Sequence, residues 1–239
     1  MKEILGFWRI KICRRFSIKE GLIIDIKGKI KEILNSIPDD VQLVAVSKTK
    51  PVEDILEAYD IGIRNFGENK VQELVDKYEK LPKDIKWHLI GALQTNKVKY
   101  IVGKVSLIHS LSSIKLLEKI ELEYGKKNIT ADVLIQINIG RESSKSGILE
   151  EELDQLIEAV EKCKNIKVKG IMVIIPKGND EENRYYFRRT YDIFKTLKNS
   201  NYKNITMEIL SMGMTHDYKI AIEEGSNLIR IGTGIFGAR

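Results

Sequence analysis

The chain has 239 residues, of which 43% are hydrophobic and 31% charged, and this balance is typical of one globular domain with a buried core. Its two cysteines, Cys13 and Cys163, lie too far apart to suggest a disulfide framework or a zinc site, and they indicate a reducing compartment such as the cytoplasm. The net charge is +6 at pH 7, but residues 1–20, with six basic and two acidic side chains, account for +4 of it. The rest of the chain is close to neutral, which does not predict a nucleic-acid partner.

The basic first residues need a separate interpretation, because a basic and partly apolar start also occurs in targeting segments. Arg9 and Lys11 interrupt the apolar residues here, so no continuous apolar region of a signal peptide is present. No stretch of the chain approaches the roughly 18 apolar residues of a membrane span, and no membrane contact is expected. We predict that residues 1–22 form a loose or surface-lying extension, or reflect a start codon placed too early, and that residues 23–239 form one domain.

Eight short runs rich in Val, Ile and Leu follow, each predicted to be a strand buried on both faces. In chain order they are Leu43–Ser47, Ile63–Phe66, Trp87–Gly91, Ser106–Leu111, Val133–Ile139, Val168–Ile174, Met207–Ser211 and Leu228–Gly232. A helix is predicted before them over about Ile26–Leu34, and amphipathic helices between them, for example over Glu150–Cys163 and about Glu182–Leu197. This alternation predicts a single (β/α)8 TIM-type barrel, and a flavodoxin-like open sheet with fewer strands is the alternative.

A lysine stands at the carboxyl end of the first predicted strand. Lys48 directly follows Leu43–Ser47, and in barrels of this class the functional face is built from the carboxyl ends of the strands. The stem of Lys48 would lie against apolar walls, where loss of hydration favours a neutral, nucleophilic amine. Such amines form Schiff bases with carbonyl substrates or with pyridoxal phosphate. An ordinary loop lysine is the competing interpretation, because the chain has 40 basic residues.

The last residues carry a glycine-rich pattern. Residues 232–237 read Gly-Thr-Gly-Ile-Phe-Gly, which matches the dinucleotide fingerprint, but that fold needs a full strand–helix–strand unit for which no residues remain. We instead expect Gly232 and Thr233 to bind a phosphate through backbone N–H groups at the start of a short helix. Ser211 and Thr215 would add hydroxyls to the same phosphate, since loops after strands seven and eight form the recurrent phosphate site of these barrels.

The three histidines do not predict a catalytic site. His88 lies within a predicted strand, His109 near a strand end and His216 at a helix start, so each is expected to be packed or to face solvent. The sequence shows no Ser/His/Asp arrangement and no metal-ligand spacing. Neither triad chemistry nor a metal site is therefore predicted.

Several sequence motifs occur in a consistent order along the chain. They are Val46-Ser47-Lys48-Thr49-Lys50-Pro51, Phe66-Gly67-Glu68-Asn69, His88-Leu89-Ile90-Gly91, Leu93-Gln94-Thr95-Asn96-Lys97, Gln136-Ile137-Asn138, Ser144-Lys145-Ser146-Gly147, Gly170-Ile171-Met172, Leu210 through Asp217, Arg230-Ile231-Gly232-Thr233 and Phe236-Gly237-Ala238-Arg239. In this order they resemble the pyridoxal-phosphate homeostasis protein family, whose fold is like the barrel domain of alanine racemase. The resemblance covers about residue 26 to the end.

The resemblance implies pyridoxal 5'-phosphate as the cofactor, bound as a Schiff base on Lys48. It also implies a set of phosphate-binding residues, which are Ser211, Thr215, Gly232 and Thr233. Arg230 would face the pyridine nitrogen of the cofactor by the same resemblance. Because arginine in practice keeps its proton, that nitrogen would stay unprotonated and the cofactor would be a poor electron sink.

Two further residues lie in motifs of this family. Asn69 is expected to line the cofactor site, and Lys145 is a candidate second lysine whose part in cofactor transfer the sequence does not decide.

Two functions are compatible with these residues. The resemblance implies a non-enzymatic carrier that binds pyridoxal phosphate reversibly, buffers it and supplies apo-enzymes that depend on it. We expect this carrier to be cytoplasmic and monomeric. The alternative is an amino-acid racemase, which needs an acid/base group on each face of the cofactor. In alanine racemases the opposing tyrosine comes from a second, all-β domain, for which this chain has no residues left, so the carrier is preferred. An in-barrel base such as His88 or Lys145 keeps the racemase open.

Overall fold

The eight predicted strands close into one parallel barrel. The structure is a computed structural model that describes residues 18–19, 22–23 and 25–238. Its barrel contains eight strands in one closed sheet, with helices between them, so the predicted (β/α)8 barrel is confirmed. Ile18–Lys19 (β1) and Leu22–Ile23 (β2) form a separate antiparallel pair. Most of the predicted extension, including Cys13, lies outside the described residues.

All eight predicted strands are present, and their ends differ from the predicted ones by at most two residues. The barrel strands are β3 (Gln42–Val46), β4 (Asn65–Glu68), β5 (Lys86–Leu89), β6 (Leu107–Leu111), β7 (Ala131–Ile137), β8 (Ile166–Val173), β9 (Ile205–Ser211) and β10 (Leu228–Ile231). The helices are α1 (Ile26–Ser36), α2 (Val52–Asp60), α3 (Val71–Lys80), α4 (Val98–Ile101), α5 (Ile114–Gly125), α6 (Leu153–Glu161), α7 (Asp180–Lys198), α8 (Tyr218–Glu223) and α9 (Thr233–Phe236). Within the described ranges, no helix combines the length and the apolar character needed to cross a membrane.

Polar caps explain where the predicted helices begin. The amide of Asn179 and the carboxylate of Glu182 form a reciprocal capping box, which starts α7 two residues before the predicted beginning. The segment predicted from Glu150 opens instead with a 3₁₀ turn over Glu150–Glu152 before α6, because helix starts often tighten in this way. Local side chains therefore set these helix boundaries.

Two apolar clusters lie on opposite faces of the barrel wall. The larger packs strands against helices and includes Ile108 and Val133, whereas the smaller consists of Leu107, Leu134 and Met172. Because neighbouring residues of a strand point to opposite faces, the smaller cluster faces the barrel interior. Full burial of one such side chain contributes about 1.5–3 kcal/mol, so burial on both faces of the sheet stabilises the barrel.

The order of the strands places the loops after β9, β10, β3 and β4 next to one another. Strands β9, β10, β3 and β4 are consecutive in the closed barrel, and all their pairings are parallel. Their carboxyl ends therefore lie side by side at one rim of the barrel. The turn after β9 passes through Gly213, whose φ of +92° favours glycine, and a Cβ there would lie 2.7 Å from the Cβ of Ala221.

Candidate functional site

A cavity of about 220 Å³ opens at this rim of the barrel. Six of the seven predicted site residues line it, namely Lys48, Asn69, Thr215, Arg230, Gly232 and Thr233. The remaining wall consists of Val46, Ile90, Ile174, Met214 and His216. The fold thus gathers an amine, an amide, two hydroxyls and a guanidinium around one space with largely apolar walls.

Ser211, the seventh predicted residue, does not line the cavity. It is the last residue of β9 and fully buried, and its Oγ accepts a hydrogen bond of 2.6 Å from Nη1 of Arg230. Because β9 continues through Ser211, the alternation of the strand directs this side chain into the barrel interior. In this structure the hydroxyl of Ser211 therefore holds Arg230, and its contact with a phosphate stays a prediction.

The backbone is tied on both sides of Lys48, which is itself half-buried. Before it, Oγ of Ser47 donates to Oε1 of Glu68 at 2.6 Å. After it, the N–H of Thr49 donates to Oε1 of Glu73 at 2.5 Å, and Thr49 has a φ of +63°. A positive φ at a threonine is strained and persists only where surrounding contacts impose it. These bonds therefore fix the course of the chain from which the Lys48 side chain projects.

A buried lysine connects these ties. Nζ of Lys77 donates to the carbonyl of Ser47 at 2.8 Å, to Oε1 of Glu68 at 2.7 Å and to Oε1 of Glu73 at 2.7 Å. The side chains of Lys77 and Glu68 are only 8% and 0% exposed. Burial raises the pKa of Glu68, and the Lys77 ammonium partly counteracts that rise. The pair therefore holds a charge out of water through its hydrogen bonds.

Two threonines and a helix start form the next part of the site. Oγ1 of Thr215 lies 3.1 Å from Oγ1 of Thr233 and accepts from the N–H of Gly234 at 3.3 Å. A Cβ on Gly234 would lie 2.9 Å from a methyl of Ile231 and 3.2 Å from one of Thr215, so only glycine fits this packing without displacing its neighbours. Both hydroxyls therefore lie at the beginning of α9, beside backbone N–H groups, and their contact with a phosphate stays a prediction.

Lys50 fixes the other end of α9. Its Nζ donates to the carbonyls of Phe236, Gly237 and Ala238 at 2.7, 3.2 and 3.3 Å. A cation at the carboxyl end of a helix satisfies carbonyls that have no intrahelical partner. Because Lys50 belongs to the same loop as Lys48, this contact joins the amine side of the cavity to the hydroxyl side.

Arg230 lies inside the barrel below the cavity and is only 4% exposed. Besides its bond to Oγ of Ser211, it donates through Nη1 to the Ser211 carbonyl and through Nη2 to the Val173 carbonyl, both at 2.8 Å. Burial lowers the pKa of Arg230 to about 10. The guanidinium therefore keeps its proton at neutral pH and can only donate hydrogen bonds.

Asn69 presents an unsatisfied acceptor. Its Oδ1 is buried and receives no hydrogen bond from the described residues. A Cβ on Gly91 would lie 2.3 Å from the carbonyl oxygen of Asn69, so glycine at position 91 permits the close approach of the two loops. Buried acceptors are nearly always paired, and a polar ligand in the cavity is one way to pair this one.

Lys145 does not line this cavity. Its Nζ donates to the carbonyl of Ile175 at 3.0 Å and forms an ion pair of 2.7 Å with Glu142. Asn138 binds the same loop, since its Nδ2 donates to the Glu142 carbonyl at 2.9 Å. These family-motif residues therefore order a neighbouring loop.

Sequence reasoning missed three residues that support the site. Lys50 stands in a quoted motif, but nothing in the pattern shows that its amine reaches the end of the chain. Lys77 looks like any helical lysine because Glu68, its buried partner, belongs to another element. His109 is packed, as expected, but its position 3.2 Å from Oγ of Ser211 was not predicted. The sequence indicates only that His109 lies two residues after Leu107 in β6, so that both side chains point to the same face of the strand.

Comparisons with known proteins show the family to which the chain belongs. The model of the family described as alanine racemase, N-terminal domain, matches residues 25–239. A pyridoxal phosphate homeostasis protein of Aquifex aeolicus is 46% identical over 200 residues, which are 83% of this chain and 87% of that protein. One from Escherichia coli K12 is 39% identical over 207 residues, covering 84% of this chain and 87% of that protein.

Solved structures with a similar fold include a member of the same family. PipY of Synechococcus elongatus without PLP matches with a TM-score of 0.84 and 32% identity. The PLP-bound form of PipY matches with a TM-score of 0.79 and 34% identity. Each match covers 89% of this chain and all of PipY. An alanine racemase of Clostridium difficile, with a TM-score of 0.75 and 16% identity over 90% of this chain and 56% of that one, shares the fold. The chain belongs to the alanine racemase N-terminal domain family and, within it, to the pyridoxal phosphate homeostasis proteins.

Proposed function

We propose that this chain binds pyridoxal 5'-phosphate reversibly through Lys48 and thereby buffers the cofactor in pyridoxal phosphate homeostasis. The observation that carries the proposal is the meeting of Lys48, Thr215, Thr233 and Arg230 around one cavity. The names of relatives at 38–46% identity support it, as does the PLP-bound structure of PipY.

The residues present fit this cofactor. When bound, pyridoxal phosphate supplies an aldehyde that condenses reversibly with a primary amine, and Lys48 offers such an amine. The hydroxyls of Thr215 and Thr233, 3.1 Å apart, and the backbone at the start of α9 offer donors for a phosphate. The unsatisfied Oδ1 of Asn69 is an acceptor that a polar ligand or its water can pair.

The surrounding contacts hold the binding groups in place before the ligand arrives. The loop of Lys48 is tied to β4 and α3 through Glu68, Glu73 and Lys77. Lys50 holds the carboxyl end of α9 against the same loop. Because both sides of the cavity are ordered in advance, little conformational entropy is lost on binding.

Arg230 determines the electronic consequence of binding. Its pKa of about 10 leaves it protonated at neutral pH, so it offers the ring nitrogen a donor and never an acceptor. A nitrogen that receives a hydrogen bond without a proton withdraws fewer electrons from the ring. This favours retention of the cofactor over transamination.

A racemase is not favoured by these findings. The relatives named as homeostasis proteins are 38–46% identical, whereas the likeness to alanine racemase at 16% identity shows the fold alone. We propose that the chain has no catalytic turnover of amino acids. Deuterium wash-in across a panel of L-amino acids tests this, and Cα exchange well above that of free cofactor would show that the chain is an enzyme.

Cofactor uptake is measured by visible absorbance and equilibrium dialysis of the purified protein. We expect the wild-type chain to be yellow, Lys48→Ala to lose the visible band, and Lys195→Ala, an exposed lysine of α7, to keep it. A wild-type protein that stays colourless after addition of pyridoxal phosphate would contradict the proposal.

We further propose that the chain acts as a monomer in the cytoplasm and delivers cofactor to apo-enzymes. The buried, unpaired thiol of Cys163 is compatible with a reducing compartment. Light scattering of the purified protein gives the molecular mass in solution and tests the monomer. For delivery, the loaded protein is mixed with an apo-enzyme in the presence of a trap for free aldehyde. Transfer that the trap abolishes would show release to solvent and not delivery.

A further inference from the structure

A chain of hydrogen-bonding groups crosses the barrel interior and ends at Arg230. Nη1 of Arg230 donates to Oγ of Ser211 at 2.6 Å, Oγ of Ser211 lies 3.2 Å from Nδ1 of His109, and Nε2 of His109 lies 2.9 Å from Nδ1 of His88. All four side chains are at most 5% exposed. None of the four belongs to the apolar clusters of the core.

The charge of Arg230 determines the direction of every bond in this chain. The guanidinium can only donate, so Oγ of Ser211 accepts and its own proton must go elsewhere. Among the described residues, Nδ1 of His109 is the remaining partner of that hydroxyl. His109 therefore carries its proton on Nε2 and donates to Nδ1 of His88, which in turn carries its proton on Nε2.

Burial keeps both rings neutral, as this direction requires. Loss of hydration lowers the pKa of His88 to about 4 and that of His109 well below its ordinary value. In both rings the acceptor Nδ1 then points along the chain toward the guanidinium, and the donor Nε2–H points away from it. Aligned dipoles of this kind stabilise a cation in a medium of low dielectric constant.

We infer that His109 is a positioning residue that, through Ser211, orients the Arg230 guanidinium at the cavity that would hold the cofactor. This inference rests on the proposed function, because it assigns Arg230 a contact with the bound ring. Without the acceptor at Nδ1 of His109, the hydroxyl of Ser211 would donate its proton to another acceptor. The carbonyl oxygens to which Arg230 donates are such acceptors, so the hydroxyl would compete with the guanidinium for them. The guanidinium would then lose one of its three fixed contacts.

Amide substitutions separate this role from simple space filling. In His109→Asn the side-chain oxygen can take the place of Nδ1 and accept from Ser211. In His109→Gln the amide reaches the place of Nε2 instead, so the bond to His88 is kept and the acceptor for Ser211 is lost. Both replacements carry the same amide group and neither is larger than histidine, so the two variants differ mainly in which nitrogen of the ring they replace.

The first readout concerns the bound cofactor. We expect His109→Gln to weaken pyridoxal phosphate binding by roughly tenfold, the effect of one lost hydrogen bond in a charged network, and to shift the pH profile of the visible band. His109→Asn should restore most of the affinity and the wild-type profile. Equal losses in the two variants, or a His109→Gln variant that behaves as wild type, would overturn the inference.

The second readout needs neither a variant nor the cofactor. Long-range ¹⁵N–¹H NMR of the cofactor-free wild-type chain should show His109 and His88 as neutral rings protonated on Nε2. A proton on Nδ1 of His109 would overturn the inference even if both variants fail to fold. If wild type takes up no cofactor but shows the expected tautomers, the proposed function fails and the direction of the hydrogen-bond chain stands.

Discussion

Removal of Lys77 should test how the loop of Lys48 is held. In Lys77→Met the buried carboxylate of Glu68 loses an ammonium partner at 2.7 Å, and the carbonyl of Ser47 loses a donor at 2.8 Å. Breaking a buried pair by removing one partner costs about 3–5 kcal/mol. We expect this loss in the free energy of unfolding, together with slower cofactor uptake because the loop is no longer fixed.

The pH dependence of this loss has a definite sign. Burial already raises the pKa of Glu68, and removal of the ammonium raises it further, so the folded variant takes up a proton at a pH where the unfolded chain does not. The variant is therefore least destabilised at low pH, and the loss grows as the pH rises through the raised pKa. Urea unfolding at pH 5 and pH 8, followed by circular dichroism, measures both values.

A surface ion pair of the same region is the matched control. Lys83 and Glu79 are 57% and 59% exposed and 3.7 Å apart, so Lys83→Met should cost less than about 1 kcal/mol. A double variant with Glu68→Gln should recover part of the loss, because no buried charge remains. If Lys77→Met costs no more than Lys83→Met, or costs the same at both pH values, the buried pair does not hold the loop as described.

Three further predictions concern other parts of the chain. Gly91→Ala would place a Cβ 2.3 Å from the carbonyl oxygen of Asn69; it should cost about 1–3 kcal/mol by urea unfolding and weaken cofactor binding, and unchanged values would contradict the close approach. His88, with its pKa lowered from 6.5 to about 4, binds a proton more readily when unfolded, so this residue should remove about 3 kcal/mol of stability between pH 6.5 and pH 4. His88→Leu should make the fall in stability over this range less steep, with a remainder from His109, whose pKa is also lowered. An unchanged slope would contradict the burial of a neutral His88. We also propose that residues 1–22 are a separate extension, so their deletion should leave cofactor uptake and the melting temperature unchanged, and a loss of either would show that the barrel needs them.

Much of the barrel follows from local sequence. The strands are short runs of Val, Ile and Leu because both their faces are covered, one by helices and one by the interior cluster of Leu107, Leu134 and Met172. Lys48 could be singled out because a lysine directly after such a strand lies at the functional rim. The helix starts were less accurate, since caps such as Asn179 can extend a helix beyond its apolar period.

The supporting contacts of the site could not be predicted in the same way. Ser211 and Thr215 both stand near the end of β9, and which of them faces the cavity depends on the residue at which the strand ends. The fully buried partner of Lys77 is Glu68, which lies on another element, and spacing along one helix reveals only its second partner, Glu73. The bond of Lys50 to the Phe236 carbonyl joins residues 186 positions apart.

Reductive trapping tests the central claim most directly. Borohydride reduces the C=N bond between the cofactor and the amine that holds it, and peptide mapping by mass spectrometry then locates the modified lysine. We expect the modification on the peptide that contains Lys48, in an amount that follows the visible absorbance before reduction. Modification of another lysine, such as Lys145, with Lys48 unmodified, would contradict the account.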